Sequence, residues 1–173
     1  MKAAVVYESW FGNTRAIAEA VARGLGERYD VTLCSADDPT PAIDELDLLV
    51  VGGPTQVHGL SSVTSRKAAV EQLGDGREVG IGARGFVEAL SPVTGVSAAA
   101  FDTRVQRPAV VVGSAARSIA KRLERRGFRL VIEPTSFFVH GTPGPLADEE
   151  VERAERWGRR LAAVSPASPA ATH

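Results

Sequence analysis

The sequence is poor in the residues that usually announce chemistry. Its single cysteine, Cys34, excludes an intramolecular disulfide, and its three scattered histidines (His58, His140, His173) have no spacing suited to a structural metal. Redox chemistry, if present, must therefore come from a bound cofactor. No arrangement of the Ser/His/Asp or Cys/His type is present, which counts against a hydrolase. No apolar run approaches the roughly 20 residues needed to cross a bilayer. Glu8 and Gly12 also interrupt the opening stretch, where a signal peptide needs its apolar core. A soluble, cytoplasmic protein without membrane contact is expected. Neither sign of charge dominates, with 20 Lys and Arg against 21 Asp and Glu, so nothing points to nucleic acid. The densest basic stretches, Arg122 to Arg129 and Arg153 to Arg160, are interleaved with glutamates on helical patterns and read as solvated helix faces.

What remains is a chain of 173 residues, 44% hydrophobic, enough for one domain with a core. Ala3 to Tyr7 is a short apolar run. Ile17, Ala18, Val21, Ala22 and Leu25 then recur at three- and four-residue spacing, giving strand, loop and helix. Val31 to Cys34 reads as a second strand, and Ile43 to Leu46 as a helical turn. Leu48 to Val51 does not alternate in polarity, the mark of a strand covered on both faces. Ser62 or Thr64 caps a helix running to Leu73, and a brief helical pattern surrounds Phe86 to Leu90 in an irregular, glycine-rich stretch. Gly95 to Phe101 is a fourth strand with Asp102 at its carboxyl end. Ser114 caps a helix through Ile119 to Arg126, which Gly127 ends before a strand over Phe128 to Ile132. The last helix begins near Asp148 and runs to about Val164, with Val151, Ala154, Trp157 and Leu161 on one face. We expect one domain over residues 1–164 and a disordered Pro/Ala/Ser tail over 165–173.

Strands alternating with helices predict an α/β fold, a doubly wound parallel sheet with helices on both faces. Ligands bind outside the carboxyl ends of such strands, so the loops after Tyr7, Val51 and Phe101 are the ones to inspect. The first, Tyr7-Glu8-Ser9-Trp10-Phe11-Gly12-Asn13-Thr14, leads straight into a helix and is rich in hydroxyls, amides and small residues. Backbone amides at the helix start and the Ser9, Asn13 and Thr14 side chains suit a phosphate. The loop lacks the Gly-Lys-Ser/Thr ending of a triphosphate loop. The plainer alternative is a helix capped by Asn13 or Thr14 with nothing bound. Gly80-Ile81-Gly82-Ala83-Arg84-Gly85 matches a dinucleotide string, but Gly74 and Gly76 precede it closely and Ser91-Pro92 stops any long helix, so a surface connection is expected. Cys34 reads as a small packed residue in the second strand. Trp157 reads as core, whereas Trp10 either covers a ligand or stands exposed at a docking surface.

Val5-Val6-Tyr7, Ser9, Gly12, Thr14, Ala18 and Val21 together resemble the FMN phosphate-loop signature of flavodoxins. Val50-Val51-Gly52-Gly53-Pro54-Thr55 is similar to the second flavin loop, and Ala99 to Arg104 falls where the third belongs, so the resemblance covers about residues 1–164. It implies a flavodoxin-like sandwich with a five-stranded parallel sheet in the order 2-1-3-4-5. It also implies noncovalent FMN. Ser9, Trp10, Phe11, Gly12, Asn13 and Thr14 would hold the phosphate. Pro54, Thr55, Gln56, Val57, His58 and Gly59, with Asp102, Thr103 and Arg104, would border the ring. Flavodoxins commonly sandwich that ring between aromatic side chains of the second and third loops. Here those loops contain no Trp or Tyr, leaving His58 and Phe101, the latter equally suited to the core, and weaker stacking is expected.

The resemblance implies an electron carrier, a monomer or weak dimer, working between a flavin reductase-type donor and a redox acceptor protein, with the flavin supplying the chemistry and no catalytic side chain required. The chain is less acidic than familiar flavodoxins, which argues against the usual charge-guided docking to a basic reductase. Two alternatives stand beside it. One is an FMN-dependent oxidoreductase acting directly on a quinone or porphyrinogen, its pocket shaped by residues 74–95 and Gly141-Thr142-Pro143-Gly144. The other is a flavodoxin-like scaffold that has lost FMN.

Overall fold

The computed structural model describes residues 1–56, 59–107 and 113–164. The expected tail lies outside the described residues, as do Val57 and His58. Five sheet positions run in the order second, first, third, fourth, fifth. Strand β1 (Lys2–Tyr7) lies between β2 (Asp30–Ser35) and β3 (Leu48–Gln56), and β3 is flanked in turn by β5 (Ser97–Val105), all parallel. A two-residue strand, β4 (Gly59–Leu60), folds back antiparallel on the end of β3. The fifth position is shared. Strand β6 (Arg129–Leu130) pairs with Ser97 and Ala98, and β7 (Thr135–Val139) pairs with Phe101 to Val105. Residues 131–134 lie outside both pairings; the Val131 N–H still donates to the Ala98 carbonyl at 3.0 Å, but Pro134 has no N–H to give, and the ladder breaks there.

Alternate residues of each central strand enter two separate cores. Ala3, Val5, Leu48, Val50, Ala99 and Phe101 face α1 (Asn13–Leu25) and the C-terminal helix α5 (Glu150–Val164). Ala4, Val6, Leu49, Val51, Ala98 and Ala100 face α3 (Gly82–Ala89) and α4 (Ala115–Arg125). Both faces are dry, which is why these strands read as unbroken apolar runs. Helix α2 (Val63–Leu73) begins with a capping box between Ser62 and Ser65 and buries only Arg66 and Ala69. Ser114 caps α4 by accepting from the Arg117 amide. Against the sequence reading, β3 and β5 run several residues further, through Gly52-Gly53-Pro54 and Asp102 to Val105. A short 3-10 turn, Ile43–Glu45, stands where the sequence predicts a helical turn. Among the described residues no helix is long and apolar enough to cross a membrane.

Helices α1 and α5 meet backbone to backbone. A Cβ placed on Gly24 would stand 2.2 Å from the Glu155 carbonyl oxygen, and one on Gly158 2.4 Å from that of Val21. Glycine at both crossing points is what allows this approach. The flanks are tied by Arg23 to Glu155 at 3.2 Å and Arg159 to Glu27 at 2.6 Å.

Candidate functional site: the cleft at the carboxyl edge of the sheet

The carboxyl ends of β1, β3 and β5 open into a cavity of about 260 Å³. Its floor is the β1–α1 loop. Gly12, with φ at +88°, is the residue before α1, and among the described residues no side chain caps that helix. Neither Asn13 nor Thr14 serves as the cap, because each is engaged elsewhere. The Asn13 amide donates to the Pro143 carbonyl at 2.6 Å, and the Thr14 hydroxyl lies 2.7 Å from that of Thr103. The Ser9 hydroxyl lines the same cavity, is buried, and has no partner among the described residues. An uncapped helix start beside an orphaned buried hydroxyl fits an anion.

The walls come from the expected loops. Trp10, Phe11, Asn13 and Thr14 stand on one side, Pro54, Thr55 and Gln56 on another, and Thr103 and Arg104 on a third. Trp10 is buried, its indole N–H donating to Glu8 at 2.9 Å, so it covers the cleft and is not exposed. Arg104 is half-buried. Its guanidinium donates to Ser136 Oγ at 3.0 Å and to the Arg107 carbonyl at 2.5 Å, and lies 5.4 Å from the Phe138 ring centre.

The family model for flavodoxins matches residues 5–157. The chain belongs to the flavodoxin family. Flavodoxins bind a flavin, typically FMN, and serve in electron transfer. A solved flavodoxin from the Archaea is 25% identical, with a TM-score of 0.63, over 94% of this chain and 97% of that one. Oxidised flavodoxin 1 of Bacillus cereus gives 19% and 0.67 over 94% and 98%. The Streptococcus pneumoniae flavodoxin gives 20% and 0.65 over 94% and 99%. No curated protein matches significantly.

Within this flavodoxin three of the residues that the sequence assigns to the flavin sit differently from the rest, and two lie beyond description. Gly12 bounds the floor from the N-cap position of α1, where it has no side chain to offer, and Gly59 is buried in β4, opposite Gln56. Asp102 does not line the cleft. It is fully buried on the α4 side, where one carboxylate oxygen accepts from Ser114 Oγ at 2.8 Å, the Ala116 amide at 2.9 Å and Thr55 Oγ1 at 3.0 Å. The extension of β5 causes this, since successive side chains alternate faces and Thr103 takes the cleft side. Val57 and His58 fall outside the described residues. Phe101, the other aromatic weighed for the ring, is core. It stands edge-to-face with Phe137 and Trp157 at 6.0 and 6.1 Å, and a Cβ on Gly52 would lie 2.0 Å from its ring.

Lining residues without a place in the three-loop reading are Val105, Val139, Gly141, Thr142 and Pro143. The signal for the last three is the Gly-Thr-Pro-Gly string, whose role becomes visible once Asn13 is seen holding Pro143. The dinucleotide string is also accounted for. Where a phosphate would need the first amides of α3, Gly82 N–H donates to Asp37 at 3.0 Å and Ala83 N–H to Glu8 at 2.8 Å. Protein carboxylates already occupy that helix start. Cys34 is half-buried in β2, and burial, then the nearby Asp38 charge, push its thiol above the usual range.

Proposed function

We propose that this cleft binds FMN noncovalently and that the protein, working in the cytoplasm, carries electrons from a flavin reductase-type donor to a redox acceptor protein. The observation that carries the reading is the Ser9 hydroxyl, buried and unpartnered among the described residues, beside the uncapped start of α1. Ser9, Thr14 and the first amides of α1 would hold the phosphate. Thr14 and Thr103 share one proton between them, which leaves the other hydroxyl proton of the pair free to donate. Trp10, Pro54 to Gln56, Thr103 and Arg104 would enclose the ring system and exclude water from it. Bound flavin supplies one- and two-electron transfer. The chain's own part is to bind, orient and shield.

A second reading rests on the wall formed by Gly141 to Pro143, which is suited to a small substrate beside the flavin. Under it the protein is an FMN-dependent oxidoreductase acting directly on a quinone or porphyrinogen. Anaerobic titration of protein reconstituted with FMN tests the carrier reading, with visible spectra taken throughout and NAD(P)H oxidation assayed with and without an added reductase. Stoichiometric FMN and reductase-dependent turnover support the carrier. Steady NAD(P)H oxidation without a reductase supports the oxidoreductase. A protein that stays colourless after reconstitution overturns both and leaves a flavodoxin-like scaffold.

A further inference from the structure

Glu8 leaves the sheet at the end of β1, its amide donating to the Gly52 carbonyl at 3.0 Å, and it is almost wholly buried. Both oxygens are engaged. One accepts from the Trp10 indole at 2.9 Å and the other from the Ala83 amide at 2.8 Å, bridging the cleft wall to a helix 75 residues further along the chain. We propose that Glu8 is a positioning residue for the cofactor cleft, fixing the Trp10 indole in the wall by anchoring it to the start of α3. The inference rests on the reading of the cleft as a flavin site.

The glycine string of residues 80–85 is the other half of the device. A Cβ on Gly82 would lie 2.5 Å from the Glu8 carboxylate, and one on Gly80 2.1 Å from that of Asp37. Only glycine lets this turn close down on two carboxylates, and Gly82 also needs its φ of +64°. Arg66, buried in α2, holds the turn from behind by donating to the Gly80 carbonyl at 3.0 Å. An indole has one donor and no acceptor, and a buried one is costly to leave unpaired. The direction of that N–H, and with it the plane of Trp10, is therefore set from α3. Small displacements of a wall beside a rigid planar ligand are strongly felt in binding.

The test uses the full chain with Trp157→Phe, so that Trp10 is the sole tryptophan. Glu8→Gln, Trp10→Phe and the double variant are compared by FMN titration and, before FMN is added, by tryptophan emission. Glutamine keeps the shape but offers one acceptor oxygen to two donors. We expect Glu8→Gln to weaken FMN binding about tenfold and to shift Trp10 emission in the flavin-free protein. In the Trp10→Phe background the same change should add little, because its effect passes through the indole. Gly82→Ala provides a second route, since its methyl pushes the Glu8 carboxylate aside without altering charge, and it should shift emission and affinity in the same directions. An unmoved emission, or a Glu8→Gln penalty that persists in full without Trp10, overturns the proposal. FMN failing to bind the parent protein removes the flavin reading and the proposal with it. A moved emission there would still record the Glu8–Trp10 link, so the two failures are told apart.

Discussion

Ser9 and Asp102 each have a buried side-chain oxygen without a partner among the described residues, yet they do opposite things. The other oxygen of Asp102 gathers three donors from β3 and α4, so its loss strands them inside the protein. We expect Asp102→Ala to destabilise the fold by roughly 3 kcal/mol or more, measured by urea unfolding of the flavin-free protein. The Ser9 hydroxyl gathers nothing, so Ser9→Ala should leave that unfolding curve unchanged or slightly improved. Its cost should appear in FMN titration as a loss of about ten- to a hundredfold, the worth of one charge-assisted hydrogen bond. Arg104 lines the cleft as a cation whose contacts are a hydroxyl, a carbonyl and a ring face. If FMN binds as proposed, the negative charge it gains on the second electron would be stabilised by a nearby guanidinium. Arg104→Ala should therefore lower the second one-electron potential, by roughly 20–60 mV at low salt and less at high salt, as potentiometry at two ionic strengths would read. Cys34 gives a pH test. Because burial raises its thiol, the reactive thiolate is scarce near neutrality. Alkylation by iodoacetamide should be slower than in an unstructured cysteine peptide at about pH 7.5, with its rise displaced to higher pH.

Between helices, the sign of a glycine-to-alanine change reveals what the glycine does. In an exposed helix interior alanine is favoured by about 1 kcal/mol. At Gly158 and Gly24 a methyl would collide with the facing backbone, so Gly158→Ala should instead destabilise by roughly 1–3 kcal/mol, seen as an earlier urea midpoint with an unchanged slope. Sequence periodicity finds both helices and the apolar face of α5 but not this contact, since neither glycine carries a polarity signal. Elements whose determinants are local are legible in the sequence: the Ser62 and Ser114 caps, the apolar runs of β1 and β3, and the hydroxyl-rich loop before α1. Elements decided by a distant partner are not. Gly52-Gly53-Pro54 reads as a break, yet β3 continues through it because β5 pairs alongside, and Gly52 is required by the Phe101 ring. The same extension turns Asp102 away from the cleft and Thr103 into it. The fifth strand reads as continuous up to Ile132, and its split is evident only from the two places where it meets β5. In the site, sequence does not decide between cover and exposure for Trp10, because its partner, Glu8, takes its own orientation from Ala83.

At the scale of the whole molecule, charge is unevenly placed. The chain carries a formal net charge of −1, and the stretches that line the cleft, residues 9–14, 54–56, 103–105 and 139–143, contain Arg104 and no Asp or Glu, while the carboxylates of Glu8 and Asp102 stand directly behind the wall, on Trp10 and Thr55. Small inorganic oxidants report the local field, to which bound FMN would add the negative charges of its phosphate and reduced ring. For the dithionite-reduced, FMN-loaded protein we expect oxidation by hexaammineruthenium(III) to slow about threefold between low and high salt, and oxidation by ferricyanide not to slow. The reverse pattern would mean that Arg104 governs access. The backbone contact of α1 with α5 has a consequence of another kind, for the order in which the protein is made. Arg23 and Glu155 are 132 residues apart, so the face of the sheet beneath α1 waits for its second helix until almost all of the domain has left the ribosome. A nascent chain halted after Asp148 holds every strand but still exposes the apolar residues that Trp157 and Leu161 cover. Such a chain should be protease-sensitive and prone to associate, and synthesis of α5 would be the step that closes the core of this domain.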